Sequence, residues 1–102
     1  MPRQRIRLSR NVFRDLGFSI EEAENLRVRA HLMVELEKAI MRRGLTQRAA
    51  AKTMGVTQPR VSNLLRGRID LFSVDMLINM LARLGMSVSV AVKPSRPPKR
   101  VA

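Results

Sequence analysis

The chain has no cysteine, no tryptophan and no tyrosine, and a single histidine. Without a thiol there is no disulfide, no thiolate nucleophile and no cysteine-based zinc site, a composition that fits a reducing compartment. Three phenylalanines are too few for the aromatic platforms on which single-stranded bases stack, so duplex DNA is the favoured nucleic acid. No apolar run approaches the ~20 residues of a membrane span, and no stretch of signal-peptide type follows the basic N-terminus. A soluble, cytoplasmic protein with no membrane partner is expected. A glycine-rich phosphate loop and a recognisable carboxylate pair are missing too, so neither an enzyme nor a cofactor is expected. His31 has Glu24, Glu35 and Glu37 as its nearest carboxylates, at spacings that do not suit a metal, and reads as a surface or partly packed side chain. Glu21 and Glu22, with those three glutamates, read as a solvated face or one that repels DNA.

What the chain does have is positive charge. Twenty Lys and Arg stand against eight Asp and Glu in 102 residues, a formal net charge of +12, and the length allows one domain with a modest core. A polyanionic partner is the first expectation. Lys38, Arg42, Arg43, Arg48, Lys52, Arg60, Arg66 and Arg68 follow one another with no acidic residue between them. A charge run alone is usually a solvated face, but one centred on a groove-reading motif is a phosphate footprint.

That motif begins at Thr46. On a helix started at Thr57, Val61, Leu64 and Leu65 fall on one side while Pro59, Ser62, Asn63 and Arg66 point away, with Gln58 at the leading tip. Ahead of it, Ala51 is small enough for a close helix approach, and Gly55 can take the left-handed backbone of a tight turn. Met54, Val56, Val61 and Leu64 can then close a common core. Two short helices crossing through a turn, the second presenting short polar and amide side chains, predict a DNA-binding helix-turn-helix.

The remaining segments have their own signals. Residues 1–10, with Arg3, Arg5, Arg7 and Arg10, read as a flexible basic arm that either reaches phosphates or is merely solvated. Val12, Phe13, Leu16 and Phe18 should dock a turn or short helix onto the next helix, with a partner-binding patch as the alternative. Ser19 and Glu22 have capping-box spacing, and Ala23, Leu26, Ala30, Met33, Leu36 or Glu37, and Ile40 recur helically up to Gly44, as one long helix or two abutting ones. The flanking Val28, Leu32, Val34, Ala39 and Met41 widen that stripe, so part of it is available to a partner. After Gly67, Phe72 should fill the base of the core, and Ser73 should cap a helix with Leu77, Ile78, Leu81 and Leu84 buried. From Met86 the period switches to two, with Val88, Val90 and Val92 on the same face, which predicts a strand. Residues 93–102, with three prolines and four basic residues, read as a disordered basic tail.

Gln47 opening the first helix, Ala51 and Gly55 four apart, and Val61 and Leu64 in the second helix together resemble the phage-repressor-like (Cro/C1-type, XRE) helix-turn-helix family. The likeness extends further. Asn11-Val-Phe-Arg-Asp-Leu-Gly-Phe18, Glu22-Ala-Glu-Asn-Leu26, Gly44-Leu-Thr-Gln47, Gln58-Pro-Arg-Val-Ser62 and Leu84-Gly-Met-Ser-Val-Ser-Val90, over roughly residues 11–92, resemble the HigA-type antitoxins. That resemblance implies a dimeric repressor of its own operon that binds and neutralises a RelE-like messenger-RNA-cleaving toxin. A stand-alone phage-type regulator is the alternative within DNA binding, and a basic architectural or ribosome-associated RNA protein the alternative outside it.

The fold expected is all-α, a five-helix phage-repressor-like helix-turn-helix domain over residues 11–92 with one C-terminal β-strand paired across a dimer. By analogy with the family's recognition-helix positions, Gln58, Ser62 and Asn63 are expected to read bases and Pro59 to meet a thymine methyl. Gln47, Arg48, Thr57, Arg60 and Arg66, which flank that face and in part match the family's phosphate-contacting positions, are expected to anchor phosphates, with Arg60 alternatively reaching a base. Met86, Val88, Val90 and Val92 are expected to form the dimer strand, with the toxin or the N-terminal arm as other possible pairing partners. Two-fold pairing would require a palindromic operator with half-sites ~34 Å apart.

Overall fold

The structure, a computed structural model, describes residues 10–95 and contains five α-helices and one 3₁₀ turn. Helix α1 spans Arg10–Asp15 and α2 spans Ile20–Arg42, a single helix rather than two. Helices α3 (Gln47–Met54) and α4 (Gln58–Leu65) follow, then the 3₁₀ turn Ile69–Leu71 and α5 (Val74–Arg83). The basic arm expected at residues 1–10 lies outside the described residues except for Arg10, which opens α1. Residues 96–102 of the expected tail lie outside them as well.

Each boundary has a local cause. Ser19 Oγ accepts a hydrogen bond from the Glu22 amide at 3.1 Å, and Glu22 Oε1 accepts one from the Ser19 amide at the same distance. This reciprocal box starts α2 and holds the Glu22 carboxyl below its ordinary pKa. At the other end Gly44, at φ 63°, lets Leu45 N–H turn back to Ile40 O at 3.1 Å. Thr46, Thr57 and Ser73 each cap the helix that follows through a side-chain oxygen.

Helix α2 is the spine, meeting α1, α4, α5 and the 3₁₀ turn. Its buried face of Leu32, Met33, Leu36, Ala39 and Ile40 joins Ala50, Ala51 and Met54 of α3, Val61 and Leu64 of α4, Phe72, and Leu77, Met80 and Leu81 of α5 in one core. Two arginines fix the frame. Arg29 Nη1 donates to Ile69 O at 3.0 Å and Phe72 O at 3.2 Å, and Arg43 Nη1 donates to Leu84 O at 3.1 Å, closing the C-terminal end of α5.

The chain departs from its sequence pattern in three places. The C-terminal β-strand is not formed: no strand occurs among the described residues, and residues 86–92 carry no regular secondary structure. A strand exists through its ladder, and the helices of the same chain have already paired their own backbone groups, so this segment has nothing to bond. Of the expected strand face only Val88 packs on the core, while Met86 is exposed and Val90 and Val92 are 79% and 93% exposed. On α5 the buried position expected of Ile78 is taken by Met80, with Ile78 half-buried. Near the N-terminus Phe13 and Phe18 meet edge to face at 6.3 Å, but of the side chains expected to pack Leu16 is 70% exposed, and Val12 and Phe18 are exposed as well.

Candidate nucleic-acid interface

Helices α3 and α4 are joined by a turn whose geometry only glycine takes at low cost. Gly55 sits at φ 70°, ψ 32°, so that Val56 N–H reaches Ala51 O at 3.0 Å and the chain reverses in three residues. The next helix starts at once: Thr57 Oγ1 accepts from the Arg60 amide at 3.3 Å, and Pro59, which lacks an N–H, occupies the first turn, where none is needed. Capping uses an acceptor site of the Thr57 hydroxyl and leaves its proton free to donate. Val61 and Leu64 are buried beneath α4, which fixes the face it turns outward.

At 100° per residue Gln58, Ser62, Arg66, Pro59 and Asn63 fall within an arc of about 140° opposite that buried pair. Gln58, Pro59 and Arg66 are exposed and Ser62 and Asn63 half-buried. Among the described residues, the side chains of Gln58, Ser62 and Asn63 make no hydrogen bond, so both amides keep their full set of donors and acceptors. An amide can bond two edge atoms of adenine at once, and this face holds two of them five residues apart.

The charge around this face is sorted. Six of the eight acidic residues lie between Asp15 and Glu37, on α1 and α2 and outside the helix-turn-helix. Of the eight cations between residues 38 and 68, four are engaged: Lys38 with Glu35 at 3.4 Å, Arg43 with Leu84 O, Arg68 with Asp70 at 3.7 Å, and Arg60 with Leu71 O at 3.4 Å. Arg42, Arg48, Lys52 and Arg66 are exposed and make no hydrogen bond or ion pair among the described residues. They are the cations free to displace counterions from a phosphate backbone. Gln47, exposed in the first turn of α3, stands at a helix N-terminus, where backbone amides favour an anion.

Arg60 is placed differently from Arg48 and Arg66. Its guanidinium lies 5.7 Å from the centre of the Phe72 ring and 3.9 Å from Met76 Sδ, turned against the protein. A cation over an aromatic face contributes about 0.5–2 kcal/mol depending on how dry it is. The helical wheel carries the signal for this placement, since Arg60 stands beside Leu64 rather than beside Gln58. His31 is exposed on α2, beside a groove of about 530 Å³ between α2, α5 and residues 86–91. Among the described residues no group of three His, Asp, Glu or Cys side chains can hold a metal.

Two capped short helices, a left-handed glycine turn, an outward face of uncommitted amides and free flanking cations define a helix-turn-helix DNA-binding domain. The family model described as a helix-turn-helix domain matches residues 12–93. A solved structure titled "Putative XRE Family Transcriptional Regulator" is 32% identical and superposes with a TM-score of 0.69, covering 79% of this chain and 94% of that one. No curated protein matches. The chain belongs to the XRE-type helix-turn-helix family and is a DNA-binding transcriptional regulator. No helix of the described residues is long and apolar enough to cross a membrane.

Neutralising Arg48 or Arg66 with glutamine is expected to weaken binding to every duplex alike and to shallow the plot of log K against log salt by about 0.9 per lost contact. Arg27, which is paired to Glu24 at 2.6 Å on the acidic side, supplies the control, and Arg27→Gln should leave the slope as it is. Salt titrations on one operator and one unrelated duplex measure both.

Proposed function

We propose that the chain is a sequence-specific repressor that reads operator DNA as a homodimer, and that it is the antitoxin of a two-gene operon, repressing that operon and neutralising a RelE-like messenger-RNA-cleaving toxin. The reading of DNA is carried by one observation, the two unspent amides of Gln58 and Asn63 on the outward face of α4. In this assignment Gln58, Ser62 and Asn63 contact base edges, Pro59 a thymine methyl, and Gln47, Arg48, Thr57 and Arg66 the phosphates on either side.

The antitoxin role rests on the HigA-like segments between residues 11 and 92, and the layout of the molecule is consistent with it. A protein that represses while carrying its toxin needs a second face. Helix α1 and the start of α2 provide one, with Val12, Leu16, Phe18 and Ile20 exposed beside Asp15, Glu21 and Glu22, all outside residues 46–68. The dimer contact is assigned to residues 86–92, where the valines left exposed by a single chain gain both burial and a ladder from the same segment of a second copy. Val90→Asp with Val92→Asp should therefore give a folded monomer with weak operator binding, and a variant that still sediments as a dimer would sink that assignment.

The function itself is tested by the gene beside this one. A small basic protein encoded there should arrest growth when expressed alone and be silenced when this chain is co-expressed. If the neighbour is harmless while operator binding is intact, the protein is a stand-alone regulator.

A further inference from the structure

We infer that Arg60 is a positioning residue that sets how α4 lies against the rest of the domain, and is not one of its phosphate anchors. The inference rests on α4 being the base-reading helix. Helix α4 has eight residues and packs chiefly on α3, with a smaller contact to α2. Its buried side chains Val61 and Leu64, with half-buried Leu65 beside them, hold so short a helix along one line. Arg60 lies off that line. Its amide belongs to the N-cap of α4, donating to Thr57 Oγ1 at 3.3 Å, while its guanidinium donates to Leu71 O at 3.4 Å and approaches Met76 Sδ at 3.9 Å. Its Cζ lies 5.7 Å from the centre of the Phe72 ring, a side chain only 2% exposed in the core. One side chain thus ties the leading end of α4 to the 3₁₀ turn and to α5.

The consequence falls on a particular neighbour. On the helical wheel Asn63 is about 60° from Arg60, nearer than any other residue of the outward arc. A rocking motion released at Arg60 displaces Asn63 first, and a bidentate amide contact tolerates little displacement. The chemistry of the tether also calls for arginine. A planar guanidinium can lie over a ring and still donate edgewise to a carbonyl, whereas a lysine ammonium keeps the charge without the plane or the fork.

This gives one shared expectation for Arg60→Lys and Arg60→Gln, which a phosphate anchor would separate. With the full chain on its operator, both variants should lose about tenfold in discrimination at the base pair that Asn63→Ala identifies, near the lower end of what one bidentate pair contributes. Both should keep the parent's salt slope, and thermal unfolding should show each folded at the assay temperature. General destabilisation would lower specific and nonspecific binding together and leave their ratio alone. Arg60→Lys matching the parent while Arg60→Gln shallows the slope by about 0.9 would make Arg60 a phosphate anchor and overturn the inference. Unchanged discrimination in both variants would overturn it as well. If Asn63→Ala itself changes nothing, the base-reading role of α4 fails and this inference falls with it, a result distinguishable from the other two.

Discussion

Replacing Gln58 and Asn63 together by alanine is expected to lower operator affinity by about 2–6 kcal/mol, taking about 1–3 kcal/mol per lost amide contact and additivity between them. The magnitude decides what is left. Specific binding exceeds nonspecific binding by about 4–10 kcal/mol in such complexes, so the double variant should approach the behaviour of the parent on an unrelated duplex. Its salt slope should be nearly that of the parent, because Arg48, Lys52 and Arg66 are untouched and the amides carry no charge. Both side chains are free of intramolecular hydrogen bonds among the described residues, so the exchange leaves no polar group of the protein unpaired. Fluorescence anisotropy on the operator and a scrambled duplex separates the two terms. Equal affinity of variant and parent for the operator would show that α4 is not the reading helix.

The second large effect is on stability. Leu36 is fully buried on α2, in the core that joins that spine to α3, α4 and α5, and Leu36→Ala is expected to cost about 2–5 kcal/mol through lost burial and the cavity left behind. A domain of this size has about 5–15 kcal/mol in total, so the variant should unfold at much lower denaturant, with an unchanged slope of stability against denaturant. Val34, exposed two residues earlier on the same helix, provides the comparison, and Val34→Ala should stay within about 0.5 kcal/mol of the parent. Chemical denaturation followed by circular dichroism measures both. A Leu36→Ala variant as stable as the parent would contradict the placement of α2 at the centre of the core.

Most of this was legible in the sequence because its cause is local. Ser19 and Glu22, Thr46 and Gly55, and Thr57 and Pro59 are helix starts and stops that act within four residues, and the helices form at those bounds. The apolar spacing picks out Leu36 or its neighbour Glu37, and the structure decides for Leu36. What was not legible depends on where distant segments meet. The period-two pattern of residues 86–92 is genuine, but a pattern specifies a face and not a partner, and a single chain supplies none. The charge run from Lys38 to Arg68 looks uniform in sequence, yet three-dimensional placement separates it into engaged and free cations, with Arg43 bound to a carbonyl 41 residues away. Arg60 belongs to the same class, since its partners Leu71, Phe72 and Met76 come from the 3₁₀ turn, the residue after it and α5.

The claim at the centre is that α4 enters the major groove and reads adenine edges with its amides. Operator duplexes in which each adenine in turn is replaced by 7-deazaadenine test it most directly, because the change removes only the N7 acceptor, which lies in the major groove. The account predicts that a few positions lose affinity with the parent protein, and that these losses disappear in Gln58→Ala at some of them and in Asn63→Ala at others. Losses that persist in both variants, or no loss at any adenine, would contradict it.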